Sequence, residues 1–558
     1  MTKTRKAIKV TVALALVALT AIILAVAPAC SCTTYSHKTF DYDAIVFRDV
    51  EPGKLDEDIA YARSKIGVSQ TALVGGINRV VDTINEIAAN YKYAYIEYCK
   101  DTTGKYKKIY TDYDSMYNDA YKKYMDLLYD ALQAYPNGLF DEQSKQTILA
   151  NHRTMDDEYL QLQKDITALE TAYNDLKIDN YETYANAAAD ILIQLVAKNN
   201  AIAAKAGMDN YIEYAYANYG RTYDATDAAA MTAYVKEYIG PLLDDAIDGV
   251  NDAAAKIASR EDVINLDYAA RGEDETDRNY GAVEAHAKEI GAYMSEALSY
   301  LGECNLHYKA NENKNPNGVE GAFTSYLEKY DAPYIYQFCS GGYSDLLTFV
   351  HEFGHFTAFY NLGGGASYDL DVAEVHSQAN EMLFMPRLYE IYGNKVGDYL
   401  VKSQLFDILY WSVTMGCLQD EFQRIIYTEP EKYATADAIN DLYESLTVEY
   451  NADGYGEGIG ERVGYNFNRY WWAEVSHTFS SPFYYISYAM SALPALTIYE
   501  DSMETTRAAA ITEYNAIQTY GNGNYTFEEV LSKAGVASPF DKRTIKDLAD
   551  FLKRQFAA

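Results

Sequence analysis

The chain has 558 residues, with 81 acidic side chains against 47 basic ones and a formal net charge of −34. Such a surface repels nucleic acid and anionic lipid, which argues against a role in binding either. Only 11 prolines interrupt it, and Ala, Glu, Lys, Leu and the 56 tyrosines dominate, so the composition is that of a large, mainly helical protein.

At the N-terminus, Lys3, Arg5, Lys6 and Lys9 precede an apolar run from Val10 to Val26, followed by Ala27-Pro28-Ala29-Cys30. This reads as a secretory signal over residues 1–29. Cys30 at its end suggests a bacterial lipoprotein, although Ala27 stands where Leu is usual. Left uncleaved, the run is long enough to span a bilayer. All three outcomes put the protein outside the cytoplasm, with a lipid-anchored cell-surface form ranked before simple secretion. Residues 30–45 read as a tether and 46–205 as an N-terminal helical region. Long runs such as Asp156 to Asn200 carry helical spacing, and Tyr91, Tyr93, Tyr95 and Tyr98 read as helix-packing residues. Cys99, Cys304, Cys339 and Cys417 are scattered without a C-x-x-C pair, so neither a disulfide framework nor a cysteine metal site is indicated. His37, His152, His286 and His307 lack a partner pattern and read as surface or packing residues.

Further along, Asn313, Asn315, Asn317 and Gly318 mimic the start of a calcium loop. No ligand there is charged and Thr324 stands at the twelfth position, so the stretch reads as a turn. Tyr334 to Cys339, rich in aromatic and β-branched residues, reads as a short strand. As an edge strand beside a metal, it would be able to pair with an extended peptide. Gly341-Gly342 then makes a flexible turn into a helix over Asp345 to Tyr360.

That helix carries His351-Glu352-Phe353-Gly354-His355 in a chain with only 8 histidines. Residues four apart share a helix face, so His351 and His355 are able to present two imidazoles to one metal ion, with Glu352 beside it as a general base. Leu346, Leu347, Val350 and Phe353 form the apolar stripe, and Gly363-Gly364-Gly365 supplies the stop. Two histidines do not complete a catalytic zinc site, which takes three protein ligands and leaves a position for water. A second predicted helix, Leu370 to Leu388, offers Glu374, Gln378 and Glu381 on one face. Glu374 lies 19 positions past His355 (374 − 355). The competing reading makes Glu374 and Glu381 solvated surface carboxylates. Glu381 is placed to orient a ligand histidine, and His376 lies off the ligand face.

Gly454, Gly456, Gly458 and Gly460 lack the Lys-Ser or Lys-Thr of a phosphate loop and read as a mobile loop. His477 and Tyr488 are candidate donors to a developing oxyanion. Ser480-Ser481-Pro482 between them marks a turn and a helix start. Tyr484 shares a face with Tyr488, and Tyr485 is an alternative substrate contact. Among so many tyrosines, plain packing is the competing reading for each.

Glu374-Val375-His376-Ser377-Gln378-Ala379-Asn380-Glu381, placed after the His351–His355 motif, resembles the thimet oligopeptidase/oligoendopeptidase F family of zinc metallopeptidases. The resemblance takes in Gly321-Ala322-Phe323-Thr324, Pro333-Tyr334-Ile335-Tyr336 and Gly341 to Asp345 upstream. Downstream it takes in His477 and Pro482-Phe483-Tyr484-Tyr485-Ile486-Ser487-Tyr488-Ala489, covering about residues 313–495. It implies that Glu374 is the third ligand of one zinc ion per chain. It also implies that a His and Tyr pair stabilises the transition state, and that residues 206–558 form a catalytic region. The implied fold is an elongated, mainly α, two-part body around a deep channel, with a small sheet beside the zinc helix. The implied substrates are short unfolded peptides, cut at internal bonds by a monomer. The Gly321 segment lacks the Gly-Gly-Tyr-Cys run of close relatives, which bears on substrate preference. Two other readings remain: a carboxypeptidase or dipeptidase on a related scaffold, and an anchored peptide-binding protein without catalysis.

Overall fold

The computed structural model describes residues 39–558 apart from 141–143, 146–147, 150–156, 179, 270–274, 310–316, 340 and 368. The signal and lipid-attachment readings at residues 1–30, His37, His152, and Asn313 and Asn315 of the calcium-like stretch lie outside the described residues. The fold is mainly helical with one small sheet. The described residues cluster into two compact units, those within 39–149 with 269–367, and those within 157–268 with 369–558.

The first unit is built on α1 (Gln70–Lys100) and α2 (Tyr106–Ala134), which pack on each other. Ser69 caps α1 by accepting from the Ala72 N–H at 3.1 Å. Leu73, Ile77, Val80, Ile84 and Ile87 recur at alternating four and three, and all are fully buried. Burying each contributes about 1.5–3 kcal/mol. Tyr91 stacks on Tyr110 and Tyr117 of α2, with ring centroids 5.3 and 6.1 Å away, so this tyrosine does pack between helices. Lys92, also buried, sends its ammonium to the Tyr326 carbonyl at 2.7 Å and to Glu328. That tethers the sheet to α1.

The sheet has three strands, β1 (His307–Lys309), β2 (Ala322–Leu327) and β3 (Ala332–Gln337), in the order β1-β3-β2. β1 runs parallel to β3, with His307 opposite Ile335. β2 is antiparallel to β3, from Ala322 opposite Gln337 to Leu327 opposite Ala332. The hairpin between them turns through Glu328–Tyr330 and Asp331, whose φ is +52°. This corrects the edge-strand expectation. The Tyr334 strand is central, every residue of it is buried, and both its sides are already paired. β2 pairs with β3 along its whole length and β1 pairs with Ile335–Gln337 on the other side.

Helix α3 (Tyr343–Leu362) follows. Gly341 and Gly342 have φ of +96° and +95°, which side-chain-bearing residues rarely adopt, so the predicted turn needs these glycines. Asp345 closes the turn by accepting from the Gly341 N–H at 2.6 Å. Gln337 of β3 donates to the Asp345 carbonyl at 2.7 Å and fixes the start of α3 on the sheet. Gly363, at φ +61°, ends the helix where expected.

In the second unit, the predicted run from Asp156 to Asn200 is two helices, Asp157–Asn174 and Tyr181–Ala206. Asn180 caps the second one by accepting from the Thr183 N–H. α4 (Leu370–Tyr392) is buried almost all round, as a helix inside a large core is, and packs along its length on a later helix of the same unit. The glycine-rich stretch is a helix, α5 (Asp453–Val463), which corrects its reading as a mobile loop. The glycines permit close contact: a Cβ on Gly456 would lie 1.7 Å from the Asn468 side-chain oxygen, and one on Gly460 2.8 Å from the Tyr465 carbonyl. Gly456→Ala is therefore expected to lower stability by about 1–3 kcal/mol, the cost of overpacking. Gly458→Ala, with nothing within 4 Å, should be neutral or stabilising. Thermal melts of the two variants check this; equal melting temperatures would contradict it. α6 (Ile486–Glu504) is the helix on which α4 packs.

Cys99, Cys304, Cys339 and Cys417 are buried and not joined in a disulfide. No helix among the described residues is long and apolar enough to cross a membrane.

Candidate metal centre

On α3, His351 and His355 lie one turn apart, with ring centroids 5.0 Å apart and both side chains still half-accessible. Glu374 projects from the second turn of α4 and is 9% exposed. One ligand atom from each of His351, His355 and Glu374 lies within 4.8 Å of the others. Two imidazoles and one carboxylate form a donor set suited to zinc, with a coordination position left for water or substrate. Ser377, a turn beyond Glu374, donates from Oγ to a Glu374 carboxylate oxygen at 3.1 Å and to its carbonyl at 2.9 Å.

Glu352, next to His351, is 6% exposed. Thr324 of β2 donates from Oγ1 to Glu352 Oε2 at 2.7 Å, and the same hydroxyl lies 3.0 Å from the Glu352 carbonyl. This contact fixes the carboxylate's orientation. The sequence reading gave Thr324 no role at the site. Its only signal was membership of the Gly321–Thr324 run, because a hydrogen bond spanning 28 positions leaves no local pattern.

The other candidates gather around His477, in a single turn of helix over His477–Ser480. Its ring lies 5.0 Å from that of Tyr484, 5.5 Å from Tyr485 and 6.1 Å from Tyr488. Burial holds the His477 pKa down to about 4, so the imidazole is neutral at ordinary pH and keeps one N–H to donate. Its Nε2 is enclosed without a hydrogen-bond partner. Tyr484 is buried, and its hydroxyl is pushed well above 10, first by burial and then by the nearby Tyr488 and Glu374. It is therefore a neutral hydroxyl. Tyr488 and Tyr485 retain partial solvent contact, and burial raises Tyr485 as well.

The predicted helix start at Pro482 needs correction, since α6 begins only at Ile486. Phe483 has φ +67°, outside helical backbone, so Tyr484 sits in a turn rather than on the helix. Its ring still reaches Tyr488, 5.6 Å away. Glu381 accepts from Gln404 at 2.9 Å, and His376 is buried, with Tyr514 donating to its carbonyl at 3.0 Å. His286 is buried, and His307 packs its ring 4.7 Å from that of Phe349.

Comparison with known proteins finds that Peptidase family M3 matches residues 288–550. Oligopeptidase PepF of Bacillus subtilis (strain 168) is 24% identical over 264 residues, 45% of this chain and 38% of that protein. The match therefore spans well under half of that curated relative. Among solved structures, PZ peptidase A superposes with a TM-score of 0.71 at 18% identity, covering 93% of this chain and 99% of the other. Oligoendopeptidase-F from Enterococcus faecium does so with a TM-score of 0.56 at 15% identity, covering 90% and 96%. These two likenesses establish the mainly helical fold.

Proposed function

We infer, from the match of residues 288–550 to peptidase family M3, that the protein is a zinc-dependent endopeptidase acting on short oligopeptides. The observation that carries this reading is the convergence of the His351, His355 and Glu374 ligand atoms within 4.8 Å, with Glu352 adjacent in sequence.

A zinc ion held by those three side chains would supply Lewis acidity, bringing the pKa of a water near 7. Glu352 takes the water's proton on its carboxylate and then delivers it to the leaving amine. Thr324 holds that carboxylate in one orientation across both transfers. Ser377 does the same for Glu374. The substrate carbonyl oxygen gains negative charge as the carbonyl carbon is attacked. Neutral His477 and the Tyr488 hydroxyl are the donors assigned to it, and groups fixed beforehand avoid reorganisation during the reaction. Tyr484 packs against His477 and Tyr488, and we assign it a contact with substrate.

Thr324→Val keeps the shape of the side chain but removes the donor to Glu352. It is expected to lower kcat about tenfold, the worth of one hydrogen bond to a charged group, with zinc content and KM unchanged. Wild-type kcat in Thr324→Val would show that Glu352 needs no such anchor. The function itself is tested by hydrolysis of quenched fluorescent peptides before and after chelation. Activity should vanish with chelator, return with added zinc, and be absent on a native folded protein. Hydrolysis that survives complete metal removal would contradict the reading.

A further inference from the structure

A second cluster in the same unit bears on how the His477 and tyrosine group is held. Phe483 combines a left-handed backbone with a bulky side chain, a conformation that persists only when its surroundings over-determine it. Here both of its peptide groups are gripped by buried side chains. Its N–H donates to Gln423 Oε1 at 2.9 Å, and its carbonyl accepts from Arg221 Nη1 at 2.8 Å. The preceding carbonyl, of Pro482, accepts from the Tyr219 hydroxyl at 3.1 Å.

Arg221 does more than hold Phe483. Its Nη2 donates to Ser487 Oγ at 2.8 Å, so one guanidinium grips the chain on both sides of Tyr484 and Tyr485. Its Nε faces Asp371 Oδ2 at 3.5 Å, and Tyr223 donates to that same oxygen at 2.8 Å. Asp371 lies in the first turn of α4, three residues before Glu374. The arginine side chain is 1% exposed, and its guanidinium carbon lies 4.8 Å from the Tyr216 and Tyr219 ring centres and 5.8 Å from that of Tyr223. Removing a charge this deep from water is costly, and here it is offset by the two Nη hydrogen bonds and by the Asp371 carboxylate facing Nε, which itself has no hydrogen-bond partner.

We propose that Arg221 is a positioning residue for the reaction: it locks the Pro482–Ser487 turn, and with it Tyr484 and Tyr488, to the α4 helix that presents Glu374. The inference rests on the reading of His477 and Tyr488 as donors to the scissile carbonyl.

Arg221→Lys keeps the charge but cannot reach Phe483, Ser487 and Asp371 at once. Steady-state kinetics on a peptide substrate should show kcat lower by about 10- to 100-fold, the scale of a displaced oxyanion donor, with KM within about threefold and zinc content unchanged. A merely structural role would not predict the second readout. In a Tyr488→Phe background, the cost of Arg221→Lys should shrink to under about threefold, because residues acting through one another are not additive. Ser487→Ala, which removes one arm of the grip, should lower kcat in the same direction by less. Folded Arg221→Lys with wild-type kcat, or with a full cost that persists beside Tyr488→Phe, overturns the proposal. Should Arg221→Lys fail to fold, wild-type kcat in Ser487→Ala overturns it instead. Failure of the underlying reading looks different: there, Tyr488→Phe alone retains wild-type kcat.

Discussion

Glu352→Gln is expected to lower kcat/KM by about 10²- to 10⁴-fold while leaving the protein folded and its zinc content at one per chain. General acid–base catalysis carries a factor of that size. Gln has the shape of Glu and still accepts from Thr324, whose hydroxyl lies 2.7 Å from Glu352 Oε2, so the local structure should survive. What disappears is the capacity to accept a proton from water and return it to the amine. Glu352 is adjacent to His351 but is not one of the three converging ligand residues, which is why metal retention and activity should separate. Parallel metal analysis and peptide kinetics read both. A variant that lost its zinc with its activity would make Glu352 a ligand or a structural residue instead of the base.

Glu374→Ala should behave in the opposite way, losing both metal and activity. With the carboxylate gone, two imidazoles remain, one ligand short of the usual three. Zinc content after dialysis should fall well below one per chain, and activity at limiting zinc should drop by more than about 100-fold, beyond the loss that follows from disturbing a group that only orients a ligand. Unlike the Glu352 variant, Glu374→Ala should recover part of its activity at high zinc. Full zinc content in Glu374→Ala would show that the metal is held by other groups. Ser377 then serves as an internal comparison. Ser377→Ala removes the 3.1 Å contact to the Glu374 carboxylate and the 2.9 Å contact to its carbonyl but leaves the ligand itself in place, and should weaken zinc binding far less.

Helix α3 and its histidines were legible in the sequence because everything that defines them is local. An apolar stripe, a four-residue histidine spacing and glycines at both ends all fall within a few turns. The same holds for α4, which was predicted from Leu370 and starts there. What was not legible depends on partners distant in the chain. The Tyr334 strand looked like an edge because its pattern reports burial and not neighbours; β1, only three residues long, pairs with it. The glycine-rich stretch looked like a loop because glycine disfavours helix, yet packing against Asn468 and Tyr465 outweighs that preference. Tyr484 was placed on a helix because nothing near Phe483 announces a positive φ. The groups that hold it, Arg221 and Gln423, lie 262 and 60 positions earlier. Thr324 was missed for the same reason.

The central claim is that this chain cuts internal peptide bonds with a metal held by His351, His355 and Glu374 and a proton carried by Glu352. Its most direct test is mass-spectrometric mapping of the products released from a library of short peptides by the zinc-loaded chain lacking residues 1–32, run beside Glu352→Gln at matched zinc content. The account predicts fragments from internal cleavage by the wild type and none above background from the variant. Release of single terminal residues or dipeptides alone would contradict endopeptidase action and favour a carboxypeptidase or dipeptidase. Intact peptides after incubation with fully zinc-loaded wild type would contradict catalysis altogether and leave a peptide-binding protein.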